Sequence, residues 1–282
     1  MNRRLRVLGA GICWALCCPS ASAEGVKNVV RDCYALNRIA APATPPEAEL
    51  FVFVDETTEL DDNLKQVAID RATAFLNANR AFTVGRFSAF VQGHYADVVA
   101  SGAIQPDLSD DQKQSLPRPK VKDFASCRDL QISDARKGLG FAMLGLMNGA
   151  STDIIRSDIM ASLQLLSKAV TASPSKRKLV LVVSDMLENS SIASFYEKGG
   201  MGTVRDTTIK DAEKAGAFGD FGGATVYVLG GAVIPFKEKK AIASYHDPRR
   251  LEQLEKFWRA WFDRSNAHLA LFGEPSLTVD IK

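Results

Sequence analysis

Three short stretches set carboxylates and hydroxyls beside apolar segments: Asp55-Glu56-Thr57-Thr58-Glu59, Ser157-Asp158 and Ser184-Asp185. Acids and alcohols gathered in one place form a hard-oxygen donor set, suited to Mg2+, Mn2+ or Ca2+. Carboxylates crowded together without a cation repel one another, and at least one pKa rises. The same residues have a plainer use. A hydroxyl or acid just past a strand can cap the helix that follows. That role is open to Thr57, Thr58 and Asp61, and Ser157 without a metal reads as an ordinary N-cap. Other chemistry is poorly served. His94, His246 and His268 share no ligand spacing and read as surface or loop residues. Gly199-Gly200-Met201-Gly202 follows no strand and lacks the spacing of a phosphate-binding loop, so it reads as a mobile loop. The chain has no G-x-S-x-G, the elbow of many serine hydrolases.

Two of the donor stretches fall where buried strands end, and Ser157-Asp158 stands just before a helix. Residues 50–54, Leu-Phe-Val-Phe-Val, form an uninterrupted apolar run of strand length, and so do 179–183, Leu-Val-Leu-Val-Val, and 224–229, Ala-Thr-Val-Tyr-Val-Leu. Such runs are typical of parallel strands covered on both faces. Residues 82–87 read as a further strand and 97–104 as its antiparallel partner. Helical periodicity marks 64–76, 134–147, 159–170 and 248–266. In the last of these Trp258 and Trp261 belong to the core face. Residues 277–281 read as a closing edge strand. Buried strands alternating with helices predict an α/β fold: an open, mostly parallel, doubly wound sheet with helices on both faces. In such sheets ligands bind beyond the carboxyl ends of the strands, where strand order reverses.

On these residues the chain resembles the von Willebrand factor A family over about residues 48–282. The metal-ion-dependent adhesion site of that family reads Asp-x-Ser-x-Ser after the first strand, a Thr before a later helix and an Asp after the fourth strand. Asp55 stands at the first Asp, Thr57 keeps a hydroxyl at the first Ser, and Glu59 replaces the second. Ser157 resembles the Thr, and Asp185 the last Asp. The resemblance implies a protein-binding or assembly module, non-enzymatic, with a divalent cation held by Asp55, Thr57, Glu59, Ser157 and Asp185. Glu59 is the departure, because a third carboxylate either tightens cation binding or lets hydrogen bonds replace the cation. The competing enzyme reading is a haloacid-dehalogenase-like phosphatase with Asp55 as nucleophile. Its motif requires a second acid two residues on as general acid–base, and Thr57 stands there.

The first 23 residues have the order of a secretory signal: Arg3, Arg4 and Arg6, then an apolar run, then Ala21-Ser22-Ala23, with cleavage expected before Glu24. The apolar run is too short to span a bilayer, and no later run is long enough. Removing the segment takes away three of 35 basic residues and none of 33 acidic ones, so the formal charge moves from +2 to −1. No basic field for nucleic acid remains. The expected partner is a protein of the cell envelope, and the expected location is the periplasm, or the exterior in a secreted protein. Two cysteines persist beyond the signal, Cys33 and Cys127, and in an oxidising compartment they read as one disulfide. That bond would join an N-terminal arm with a Pro-rich linker, residues 24–47, to a polar insertion at about 105–132.

Overall fold

Strand β1, Ala48–Asp55, is covered on both faces because it is apolar on both faces. Leu50, Val52 and Val54 point to one side of the sheet, Phe51 and Phe53 to the other, and all five are buried. The period of two that alternates side chains across a strand divides the core into two layers. The computed structural model describes residues 30–88, 96–151, 157–197, 200–233, 247–273 and 275–282. The segment read as an export signal lies outside them, as do His94 and His246.

The chain passes through α1 (Cys33–Leu36), β1, α2 (Asp62–Phe75), β2 (Arg80–Phe87), β3 (Asp97–Ile104), α3 (Asp110–Ser115) and α4 (Arg118–Gly149). Then follow α5 (Ile159–Ala172), β4 (Arg177–Val183), a small hairpin of β5 (Tyr196–Glu197) and β6 (Gly200–Met201), and α6 (Thr208–Lys214). The last elements are β7 (Ala224–Leu229), α7 (Pro248–Arg264) and β8 (Ala267–Phe272). Six strands form one sheet in the order β3-β2-β1-β4-β7-β8. All neighbours are parallel except β2 and β3. The expected α/β class, mostly parallel with helices on both faces, is therefore what forms. β1 lies between β2 and β4, so successive strands build outward from it in opposite directions. This reversal opens a crevice beyond the carboxyl ends of β1 and β4.

One face carries α2 and α4, the other α5, α6 and α7. Helix α2 starts where Asp61 accepts the Leu64 amide at 2.8 Å, a side-chain cap for an otherwise orphaned donor. Helix α7 starts at Asp247 with Pro248 in its first turn, and its apolar stripe buries Leu254, Phe257, Trp258, Trp261 and Phe262. Both indoles are fully buried with their N–H groups bonded, Trp258 to the Met186 carbonyl at 2.8 Å and Trp261 to the Ala217 carbonyl at 3.0 Å.

Several elements depart from the reading of the sequence. The polar stretch at 105–132 is helical, and α4 runs unbroken from Arg118 through the segment expected to begin at 134. Pro117 sits at its cap and Pro119 in its first turn, where a missing N–H costs no helical bond. The closing strand is β8, not 277–281. In β8 buried Ala267, Leu269 and Phe272 are interleaved with exposed residues, a weaker signal than a continuous run. The helix before it ends at Arg264, and Asn266 turns the chain directly into the strand with a positive φ of 53°. Gly200 and Met201 pair with Glu197 and Tyr196 in a hairpin, where a mobile loop was expected.

Cys33 and Cys127 are bonded, with Cα atoms 5.8 Å apart. The bond closes a small cluster with Tyr34, Leu108 and Phe124. Gln131 of α4 stitches the arm further, donating to the Arg31 carbonyl at 2.6 Å and accepting the Gln105 amide at 3.1 Å.

Candidate functional site

The crevice beside β1 and β4 is lined by the acids and alcohols that the sequence singles out. Asp55 closes β1 and is buried. Its Oδ1 accepts the Thr57 amide at 2.9 Å and the Thr57 hydroxyl at 2.6 Å. Its Oδ2 accepts the Ser184 hydroxyl at 2.7 Å. Thr57 Oγ1 lies 3.3 Å from Ser157 Oγ, so the loop before α5 reaches the end of β1. Asp185 is also buried. Its Oδ1 accepts the Leu187 amide at 2.8 Å, and its Oδ2 accepts the Tyr196 hydroxyl at 2.9 Å. The two acidic loops are laced together by the Asp185 amide, which donates to Thr58 Oγ1 at 3.1 Å. Thr58 thus bonds across to the second acid, a use beyond capping.

The loop 184–187 is held from three sides. The Ser184 hydroxyl accepts the Met186 amide at 2.9 Å, and Met186 has a positive φ of 59°. Trp258 fixes the Met186 carbonyl from α7. Behind it, Gly230 has φ 98°, and a Cβ there would stand 3.1 Å from the Ser184 carbonyl oxygen. Only glycine lets the end of β7 approach the loop so closely in that conformation.

Burial pushes the Asp55 carboxyl above its ordinary range, against the hydrogen bonds from Thr57, Ser184 and Thr58 that favour its charged form. Burial pushes Asp185 up to about 8, and the neighbouring Asp55 adds to the rise. Two such acids cannot both ionise cheaply in a dry site, so the pair keeps a proton at neutral pH.

Four of the five residues expected to hold a cation therefore meet: Asp55, Thr57, Ser157 and Asp185. Glu59 is half-buried two residues beyond Thr57, and no group of three acidic, His or Cys side chains placed to hold a metal forms among the described residues. The site offers two carboxylates and two hydroxyls. In kind this all-oxygen set fits a hard divalent cation. A cation would take the place of part of the internal hydrogen bonding and offset the repulsion between the two carboxylates. As a nucleophile Asp55 is poorly placed. Both its oxygens accept hydrogen bonds, and Thr57, where a general acid would stand, donates to Asp55 itself. The phosphatase reading draws no support from this geometry.

Two functional candidates were not foreseen. Tyr196 reaches Asp185 from the β5–β6 hairpin, eleven residues on, and no local pattern announces it. Glu188 is buried, and its Oε2 accepts the Met160 amide at 2.9 Å. It serves as a remote cap for α5, whose own cap residue Asp158 makes no side-chain cap bond. Burial raises its pKa to about 8, against the pull of the Ser190 hydroxyl and the Met160 amide. Its only sequence signal is an acid in the loop after a buried strand.

No family model matches the chain, and no curated protein matches it. Several solved structures are similar to it. An aerotolerance-related membrane protein from Bacteroides fragilis is 15% identical, with a TM-score of 0.36 over 80% of this chain and 92% of that one. The TFIIH p34 N-terminal domain is 14% identical, with a TM-score of 0.31 over 82% and 93%. The human COPII-coat protein Sec24c is 10% identical, with a TM-score of 0.28 over 79% of this chain and 32% of that one. The fold class rests on the sheet itself.

Proposed function

We propose that the protein is an exported protein-binding or assembly module of von Willebrand factor A-like build, acting at the rim formed by Asp55, Thr57, Ser157 and Asp185. The observation that carries this reading is their convergence at the crevice where strand order reverses. The rim recognises a partner in the envelope. In the proposed cation-loaded form, Mg2+, Mn2+ or Ca2+ at the rim would take an acidic group of that partner. Without a cation, exposed Tyr196, held by Asp185 at 2.9 Å, forms part of the contact surface. The Cys33–Cys127 disulfide is consistent with an oxidising compartment, and no helix among the described residues is long and apolar enough to cross a membrane. We place the protein in the periplasm, or outside the cell if it is secreted.

The test is a pull-down from native envelope, with and without chelator, using the parent and Asp185→Asn. Asparagine keeps an acceptor for the Leu187 amide, whereas alanine would leave that buried N–H unsatisfied at a cost of about 1–3 kcal/mol. Complex formation should be lost in Asp185→Asn while the melting temperature is kept. A complex that survives this change, or Mg2+-dependent turnover of phosphate esters that vanishes in Asp55→Asn, overturns the reading.

A further inference from the structure

Helix α4 ends in an apolar stretch that the fold does not use up. Residues 138–150 contain no charged side chain. On the inner side of the helix Leu139, Met143 and Met147 are buried. On the outer side Phe141 is 73% exposed and Leu144 37%. Single exposed apolar side chains are ordinary, so the weight falls on their neighbours. Phe141, Gly145 and Gly149 follow one another at four-residue steps and form one row along the helix. Glycine within an exposed helix costs about 1 kcal/mol relative to alanine. A Cβ at Gly145 or Gly149 would meet nothing within 4 Å among the described residues, so packing among those residues requires neither glycine. The row presents a protruding ring one turn from a notch of bare backbone.

A knob and a notch on one surface fit each other under a two-fold rotation. With two α4 helices antiparallel about an axis near Met143, Phe141 of each copy falls on Gly145 of the other. The same register brings exposed Lys137 of each copy to the end of the other helix. That end has no basic residue in its last turn, although Lys65 of α2 reaches the Asn148 side chain at 3.0 Å, and its last carbonyls carry the negative pole of the helix. The uncharged stretch sets no like charges against each other.

We propose that the protein forms a two-fold dimer through the carboxyl half of α4. Helix α4 finishes at the rim, where the Ser151 amide donates to the Glu56 carbonyl at 2.8 Å. Antiparallel pairing about Met143 therefore keeps the two rims near the two-fold axis, the carboxyl ends of the helices about 18 Å apart along their length at about 1.5 Å per residue, and sends the amino ends of α4 outward. A contact of a few helical turns is smaller than the roughly 1,200 Å2 typical of stable complexes, so the dimer is weak and concentration-dependent.

Sedimentation equilibrium on the purified protein tests this over low to high micromolar concentration. The parent should show a reversible monomer–dimer equilibrium. Phe141→Glu and Gly145→Leu should each weaken it by about tenfold or more, the equivalent of 1.4 kcal/mol, with unchanged circular dichroism. Leucine raises helix propensity, so loss of the dimer in Gly145→Leu cannot be mistaken for unfolding. Lys137→Glu should weaken it too, less so at high salt. A parent that stays monomeric throughout overturns the proposal, and so does a dimer indifferent to Phe141→Glu.

Discussion

At the scale of single residues, the rim is a place where acids are kept protonated. Glu188 and Asp185 have folded pKa values far above those of an unfolded chain. The folded state therefore holds protons that the unfolded state has already released between the ordinary carboxylate range and about pH 8. Stability contributed by these groups is fully present below that range and is lost as pH rises through the window. Asp32 and Asp220, whose pKa values are lowered, act at lower pH and with the opposite sign. Thermal melts should thus show a higher melting temperature near pH 5.5 than near pH 8.5. In Glu188→Gln, which keeps an acceptor for the Met160 amide, the slope should flatten and stability at pH 8.5 should exceed that of the parent. For a chain of this size each kcal/mol moves the midpoint by about 2–4 °C. Superimposable pH profiles for parent and variant would rule this out.

At the scale of elements, the rim loop depends on what lies behind it. Gly230→Ala forces a Cβ toward the Ser184 carbonyl in a conformation that L-residues avoid. It should cost about 1–3 kcal/mol, and hydrogen exchange should speed up first at the Met186 and Leu187 amides. Slowed or unchanged exchange there would separate Gly230 from the loop. This dependence also explains what could be read in advance. The runs in β1, β4 and β7 are apolar on both faces, so composition alone gives strand, burial and parallel neighbours, and the acids that end them point to the crevice. The first half of α4 is hard to read because the stretch is polar, with prolines that in fact begin a helix, and its sparse apolar positions pack on an arm joined by a disulfide. Strand β8 was hidden because an edge strand is only half-covered. Tyr196 and Glu188 were illegible for a different reason. Their roles arise from contacts across the fold, with Asp185 and with the start of α5, and a linear pattern does not encode such distances.

At the scale of the whole molecule, the proposed export makes a mass prediction. Protein isolated from the envelope should begin at Glu24 and lack residues 1–23, and an intact mass that retains Met1 would remove the basis for placing the module outside the cytoplasm. The disulfide has a further, mechanical consequence. It spans 94 residues, and the covalent ring so closed contains β1, α2, β2, β3 and α3, including the strand at the centre of the sheet. A pull applied between the arm and Lys282 enters at Cys33, crosses to Cys127 and bypasses everything in the ring. In single-molecule stretching, the oxidised protein should therefore yield roughly 300 Å less contour length than the reduced protein, at about 3.3–3.6 Å for each shielded residue. Equal lengths in the two redox states would show that the load path runs through the central strand after all. A module tethered at its ends would then keep the Asp55 half of its rim inside a loop that tension does not reach, while the Asp185 half lies on the strained segment.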